Sequence, residues 1–345
     1  MTSETIRIGF VGAGANTELR HIPGFKAMPN VELVSVANRS RASGQRIADK
    51  HGLPTVYDNW QDLIAAPDTN AICIGTWPYM HRTLVEASLD ANKHVITEAR
   101  MTMNAADAHA MLAASLRKPE LITQIVPAPM TLKVDRTIKD LIADGYLGDI
   151  LSVDMTVHQG EFVEDGPYHW RHNRDLSGYN IMQMGIWYEG MMRWLGSAES
   201  VYSIGRVNVK RRKDSDGNEH VVTIPDHIEI LLEMYSGPVV RMRLSTVTGL
   251  APANGVWMFG SEGTLHLDAT SMTLYGGRRG DSELKEIAIP AEKQGAWRVE
   301  EEFINAIRGI EPVTHTNFYD GVKYMEFTEA VTRSFQTGKK VRLPL

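Results

Sequence analysis

Ile6-Arg7-Ile8-Gly9-Phe10-Val11-Gly12-Ala13-Gly14-Ala15-Asn16-Thr17 is the stretch from which the rest of the chain is read. Residues 6–11 have strand character, and the apolar spacing over 19–27 belongs to a following helix. Between them, Gly12 permits a tight turn. Gly14 lets the backbone approach a pyrophosphate, whose charge the helix N-terminus then stabilises. A second strand over 31–37 places strand, glycines, helix and strand in one βαβ unit. Gly12, Gly14, Ala15, Asn16 and Thr17 are therefore expected to cradle a dinucleotide, although Thr17 stands where the third glycine of the full fingerprint would be.

The end of the second strand bears on which dinucleotide. A site for NAD usually has Asp or Glu there, accepting from the ribose 2′-hydroxyl. This chain has Asn38-Arg39-Ser40, and an amide, a guanidinium and a hydroxyl can all bond a 2′-phosphate that a carboxylate would repel. The expectation is NADP(H) rather than NAD(H). Arg41 adds charge, and Ser40 also suits the N-cap of the next helix.

Outward from this unit the alternation continues. Strands are expected over 71–75, 94–97 and 122–126, with helices over 40–51, 81–91 and 105–116, as a doubly wound parallel sheet requires. After residue 127 one helix (132–144, ended by Gly145) precedes strands that follow one another directly. These fall over 151–159, 201–209, 228–235, 239–247, 256–260, 264–267 and 272–275, with a tight turn at Ser236-Gly237. Helices over 181–195, 296–308 and 318–336 are expected to cover one face of an open, mainly antiparallel sheet. The other face is left for water or a second subunit, so a homodimer or homotetramer is expected. The charged stretch 211–220 reads as a solvated hairpin loop. The fold class is α/β: an N-terminal Rossmann domain over 1–126, and a C-terminal α+β domain over 127–345 for substrate and oligomerisation.

Composition narrows the function classes. The chain has 345 residues, 43% of them hydrophobic and 23% charged, a mix typical of soluble globular domains. A net charge of −6 offers no basic field for nucleic acid or anionic membrane. No apolar run approaches the ~20 residues of a membrane span. Residues 1–5 are polar and lead straight into a strand, so a cytoplasmic protein is expected. The one cysteine, Cys73, lies in an apolar run and reads as a buried, inert thiol. His169-x-x-His172 lacks a third ligand, and no metal site is expected.

Several segments in order resemble the glucose–fructose oxidoreductase/inositol dehydrogenase (Gfo/Idh/MocA) family. They are the glycine loop, Tyr57-Asp58-Asn59-Trp60, Thr76-Trp77-Pro78-Tyr79-Met80-His81, Lys93-His94-Val95-Ile96-Thr97-Glu98, the crossover Asp144-Gly145-Tyr146-Leu147-Gly148-Asp149-Ile150, and Gly260-Ser261-Glu262-Gly263-Thr264. The tail Phe303-Ile304…Gly309…Pro312 also matches. The resemblance implies cofactor-facing roles for Thr76, Trp77, His81, Glu98 and Arg100, and for Trp170 and Arg171 in a loop facing cofactor and substrate. It also implies hydride transfer on a sugar, polyol, glycoside or related carbonyl compound.

Against the family pattern, Ala99 occupies the lysine position of Glu-Lys-Pro, and Gln183 and Trp187 replace the Asp and His of a later helix. Hydride transfer at a hydroxyl carbon needs an acid/base group within hydrogen-bond reach. Tyr168, His169 and His172, with Glu189 and Arg100 behind them and Gln183 beside them, are the candidates in this chain. Trp187 points to a less polar pocket and so to an aryl or otherwise bulkier substrate. Two alternatives stay open: elimination or glycoside cleavage through transient oxidation, as the family resemblance allows, and a non-catalytic NADP-binding sensor.

Overall fold

A computed structural model of the chain describes residues 5–158, 162–163 and 166–345. Residue Gln159, the expected end of a strand, and residues 1–4 lie outside the described residues. The chain divides into two compact units, Met1–Pro127 with Arg298–Val322, and Ala128–Trp297 with Lys323–Leu345.

The first unit runs β1 (Ile6–Val11), α1 (Ile22–Lys26), β2 (Val31–Ala37), α2 (Arg41–His51), β3 (Thr55–Val56), α3 (Trp60–Ala65), β4 (Ala71–Ile74), α4 (Pro78–Asp90), β5 (His94–Thr97), α5 (Ala105–Leu116) and β6 (Thr123–Ile125). Its sheet has the order β3-β2-β1-β4-β5-β6 with every pairing parallel. Both faces are covered, so the strands are continuous apolar runs; Ile8, Phe10, Ile72, Ile74, Val95 and Ile96 are all buried. Strand order reverses between β1 and β4, which opens a crevice at their C-terminal ends.

The helix expected over 19–27 begins earlier and differently. Thr17–His21 forms a wide π-turn in which Ile22 N–H donates to Thr17 O, and α1 follows. Thr17 is buried, and a Cβ added to Gly75 would collide with its Oγ1. The bare Gly75 thus makes the room that a third glycine makes in the full fingerprint.

The second unit runs α6 (Leu132–Ala143), β7 (Ile150–His158), α7 (Arg174–Ser177), α8 (Met184–Leu195), β8 (Ala198–Arg206), β9 (Arg211–Lys213), β10 (Glu219–Val221), β11 (His227–Met234), β12 (Val239–Ser245), β13 (Gly255–Gly260), β14 (Gly263–Asp268), β15 (Thr273–Arg278) and β16 (Lys285–Ile287). After it come α9 (Val299–Ile307), α10 (Phe318–Thr337) and β17 (Val341–Arg342). The large sheet is nine-stranded, ordered β16-β15-β14-β13-β7-β12-β11-β8-β17, and antiparallel except for the β7–β12 pair. Alternation sends Val153, Met155 and Val157 of β7 into the core. The Tyr188 ring of α8 stacks on Phe327 of α10 at 3.8 Å, and Ser203 Oγ of β8 donates to Val331 O at 2.7 Å. These contacts seat α8 and α10 on the covered face.

Two expectations are corrected. The stretch 211–220 is not all loop: Arg211–Lys213 pairs with Glu219–Val221 in a β9–β10 ladder, with His220 opposite Arg212 and Gly217 at φ +85° in the turn between them. The helix α9, expected on the antiparallel sheet, lies in the first unit, where Phe303 meets Phe25 edge-on at 6.3 Å. Its buried Glu300 finds a cationic partner there, described below. Among the described residues, no helix is long and apolar enough to cross a membrane.

Candidate functional site

The expected cofactor residues of the first unit gather at the C-terminal ends of β1, β2, β4 and β5 and the starts of the helices after them. Gly12 has φ +80°, and a Cβ there would lie 2.6 Å from Thr76 Cγ2 and 2.9 Å from Thr76 N. At Gly14 the nearest atom to such a Cβ is 3.7 Å away, and Gly14 and Ala15 are exposed. The fold itself requires the first glycine, whereas the second leaves a bare, accessible backbone. Thr76 Oγ1 is buried with no hydrogen-bond partner among the described residues, a polar group with capacity for a ligand at this rim. Cradle and orphaned hydroxyl together fit a dinucleotide.

At the end of β2, Asn38 Oδ1 accepts from Ala13 N–H at 2.7 Å and Asn38 Nδ2 donates to Ser43 Oγ at 2.9 Å. Ser40 Oγ caps α2, accepting from Ser43 N–H at 3.3 Å. Arg41 pairs with Asp58 at 2.7 Å. Arg39 is exposed, and among the described residues its side chain has neither a hydrogen bond nor an ion pair.

His81 is fully buried, with Nδ1 3.1 Å from both Arg100 O and Met101 O and Nε2 3.0 Å from Thr76 O. Burial lowers its pKa below the ordinary value. The ring ties the loop after β4 to the loop after β5, so its place here is to position Thr76 and Arg100. Trp77 occupies the N-cap position of α4.

Sequence reasoning missed the charged core beneath this rim. Asn16 Nδ2 donates to Glu98 Oε1 at 2.5 Å, the same oxygen lies 3.1 Å from His21 Nε2, and His21 Nδ1 lies 2.5 Å from Glu300 Oε1. Burial alone would lower the pKa of His21, but its hydrogen bonds to Glu300 and Glu98 outweigh that and raise it to about 9. Burial opposes ionisation of Glu98 as well, and the bonds to His21 and Asn16 still hold its pKa below the usual carboxylate value. A buried imidazolium thus keeps Glu98 anionic beside the glycine loop. Its only sequence signal was a polar His21 among apolar helix positions, and nothing local pairs it with residue 300.

In the second unit, Tyr168 to His172 form a tight loop and 3₁₀ turn. His172 Nδ1 accepts from His169 N–H at 3.0 Å, and His169 Nδ1 accepts from Arg171 N–H at 3.3 Å. Burial, then Arg212, push His172 down to about 4, and burial followed by Arg171 lowers His169. Both rings are neutral at pH 7. His169, Arg171 and His172 line a cavity of about 200 Å³ with Met182, Arg212 and Asp226 among its other walls. Met182 has φ +44°, a left-handed conformation uncommon for a non-glycine residue.

Tyr168 is not among the residues lining that cavity; its ring stacks on His220 at 4.2 Å, and burial raises its pKa. The Arg171 guanidinium lies 4.4 Å over the Trp170 ring. Gln183 sits at the N-cap position of α8, next to Met182, and Trp187 is buried one turn on. Behind them Arg193 bridges Asp135 at 2.7 Å and Glu189 at 3.3 Å, so Glu189 is committed to packing α8 on α6. Arg212 and Asp226 were not singled out in the sequence, because Arg212 lies in a stretch whose composition reads as solvent-exposed.

A parallel six-stranded sheet with a glycine cradle at its switch point defines a dinucleotide-binding protein of the Rossmann class. The chain belongs to the Gfo/Idh/MocA oxidoreductase family. Residues 6–124 match the model for the oxidoreductase family's NAD-binding Rossmann fold, and residues 136–266 match the GFO/IDH/MocA C-terminal domain.

Sequence relatives include dTDP-3,4-didehydro-2,6-dideoxy-alpha-D-glucose 3-reductase of Saccharopolyspora spinosa, 23% identical over 263 residues, 76% of this chain and 74% of that protein. Bovine (Bos taurus) trans-1,2-dihydrobenzene-1,2-diol dehydrogenase is 23% identical over 233 residues, 67% of this chain and 64% of that protein. Among solved structures, levoglucosan dehydrogenase in complex with NADH and L-sorbose superposes with a TM-score of 0.85 at 17% identity, covering 98% of this chain and 99% of that one.

Proposed function

We propose that the chain is an NADP(H)-dependent oxidoreductase acting on a sugar, polyol, glycoside or related carbonyl compound, with its acid/base work moved to the His169–His172 turn. The observation that carries the reading is the cradle around Gly12, Gly14 and Thr76, with Arg39 at the end of β2 uncommitted among the described residues. Relatives whose names specify a sugar reductase and a diol dehydrogenase support the substrate class.

The bound nicotinamide would supply or accept the hydride. This chain's residues do the rest. In the family pattern Ala99, Gln183 and Trp187 stand at the lysine, aspartate and histidine positions, and none of them titrates near neutrality. His172 is fixed as the Nε2–H tautomer by the 3.0 Å bond at Nδ1, so it serves as a neutral donor that orients a substrate oxygen. The corresponding bond of His169 is longer, 3.3 Å, and its ring is exposed, so it changes tautomer at little cost. In alcohol oxidation His169 would be the group of this chain that takes the hydroxyl proton.

Within the Asn38-Arg39-Ser40 turn, Asn38 and Ser40 have structural partners, and Arg39 is the group available to a 2′-phosphate. Titrating NADPH and NADH separately against the protein's tryptophan fluorescence tests this. NADPH should bind more tightly, and Arg39→Ala should weaken NADPH by about 10- to 100-fold while sparing NADH. Equal affinities in the unmodified protein would remove the NADP preference, and binding of neither would remove the nucleotide reading.

A further inference from the structure

The cavity beside the His169–His172 turn carries a more specific inference, which rests on the oxidoreductase reading. We propose that it receives a carboxylate of the substrate, so that the chain acts on an acidic sugar or a related hydroxy acid in preference to a neutral polyol.

The walls supply a cation and donors. Arg212 is half-buried; Nη1 donates to Gly166 O at 3.0 Å, and no carboxylate lies within ion-pair distance of it among the described residues. The one acidic lining residue, Asp226, already has its hydrogen bonds. Its Oδ1 accepts from Asn208 N–H at 3.0 Å and Nδ2 at 2.8 Å, and its Oδ2 accepts from Asn208 N–H at 2.9 Å and Val209 N–H at 2.8 Å. Asp226 therefore holds the turn before β9 and, among the described residues, leaves the guanidinium without a carboxylate partner. His172 reports the resulting field: Arg212 lowers its pKa by more than Asp226 raises it. With Nδ1 occupied, His172 offers the cavity only an Nε2–H donor.

Of the other walls, Met182, Val209, Val222, Ile224 and Pro225 are apolar, and His169, Arg171 and Thr246 are polar. A neutral hydroxyl gains little from such a surround, whereas a planar anion can take two parallel bonds from the guanidinium, in a partly desolvated place where they are strong. The space, about 200 Å³, is smaller than a typical whole-ligand site of about 300–1,000 Å³, so it takes one end of a substrate. Apolar walls beside the guanidinium groups of Arg212 and Arg171 favour a carboxylate on a carbon skeleton over a heavily hydrated phosphate.

The test uses matched pairs with the full chain and saturating cofactor: D-glucuronate against D-glucose, phenyl glucuronide against phenyl glucoside, and glucose 6-phosphate as a third anion. Equilibrium binding is measured by calorimetry and turnover by nicotinamide absorbance, for the unmodified protein, Arg212→Gln and Arg212→Lys. The acid of at least one pair should bind about 10-fold or more tightly than its neutral partner. Arg212→Gln should abolish that preference without changing the neutral partner's affinity, and Arg212→Lys should restore part of it. Unchanged cofactor affinity in the variants reports an intact fold.

Equal binding of acid and neutral partners, an acid preference that survives Arg212→Gln, a preference for the phosphate, or no binding by any compound each overturns the proposal. Turnover of neutral sugars alone overturns it too, while leaving the oxidoreductase reading standing. Arg212-dependent acid binding with no turnover supports the anion site and counts against hydride transfer.

Discussion

The imidazole of His21 and the carboxylate of Glu300, 279 positions apart in sequence, meet at 2.5 Å in the interior of the nucleotide-binding unit. Glu98 lies on the other ring nitrogen at 3.1 Å, so an imidazolium is held between two carboxylates. Its folded pKa, about 9 against an ordinary 6.5, makes folding pH-dependent in a defined direction. The contribution is fully present below pH 6.5 and is lost as the pH rises through 9. It amounts to roughly 3 kcal/mol. Chemical denaturation at pH 6 and at pH 9.5 should show this loss, and His21→Gln should flatten the profile while lowering stability at pH 6. An identical slope in the variant would mean that other groups carry it.

The two glycines of the loop should separate folding from binding. Gly12→Ala meets Thr76 at 2.6 Å with φ +80°, and should cost about 2 kcal/mol or more. Gly14→Ala meets nothing closer than 3.7 Å, so its thermal unfolding should match that of the parent while nucleotide affinity falls about 10-fold or more. Parent-like NADPH binding by Gly14→Ala would show that the backbone at this position does not approach the pyrophosphate.

Proton transfer through His169 has its own pH signature. Burial, then Arg171, lowers its pKa below 6.5, so the base form dominates at neutrality. The kcat/KM for alcohol oxidation should be flat near pH 7 to 8 and fall on the acid side, with an apparent pKa below 6.5. His169→Asn should remove that limb and lower kcat by about 100-fold or more. His172→Asn should act mainly on KM. A His169 variant with parent-like kcat would move the proton elsewhere, with Tyr168 the next group to test.

The open face of the large sheet predicts assembly. Register aligns Tyr202, Leu231, Arg241, Asp154, Trp257, His266 and Tyr275 in one row across seven strands, with Trp257 stacked on His266 at 3.9 Å. Leu231 and Tyr202 are 47% and 37% exposed, leaving apolar surface that a second copy of the chain can cover. Sedimentation should give a dimer or tetramer, and the double change Tyr202→Asp with Leu231→Asp should shift it to monomer. A monomeric parent at micromolar concentration would refute the expectation.

The local rules that made the fold legible act over a few residues. The helix expected over 105–116 coincides with α5, whose N-cap Asn104 accepts from Asp107 N–H at 2.8 Å. The Ser236-Gly237 turn joins β11 to β12 with Gly237 at φ +111°. Strand β16 was not expected and β17 was not either, because three- and two-residue strands carry no period. The position of α9 was misread for a related reason: an amphipathic helix shows that it has a buried face, and the surface that buries it depends on the rest of the fold.

By itself, then, the sequence determined the two large sheets, most of the helices beside them and the glycine loop, because hydrophobic period, caps and turn residues are properties of neighbours in the chain. Only the tertiary structure decided that Glu300 stabilises a cation on His21, that Gly75 makes room for Thr17, and that Arg212 faces a cavity whose acidic lining residue, Asp226, is already bonded elsewhere. Charge states and free guanidinium groups depend on which groups meet at 3 Å across large separations in the chain, and composition and spacing do not encode those meetings locally.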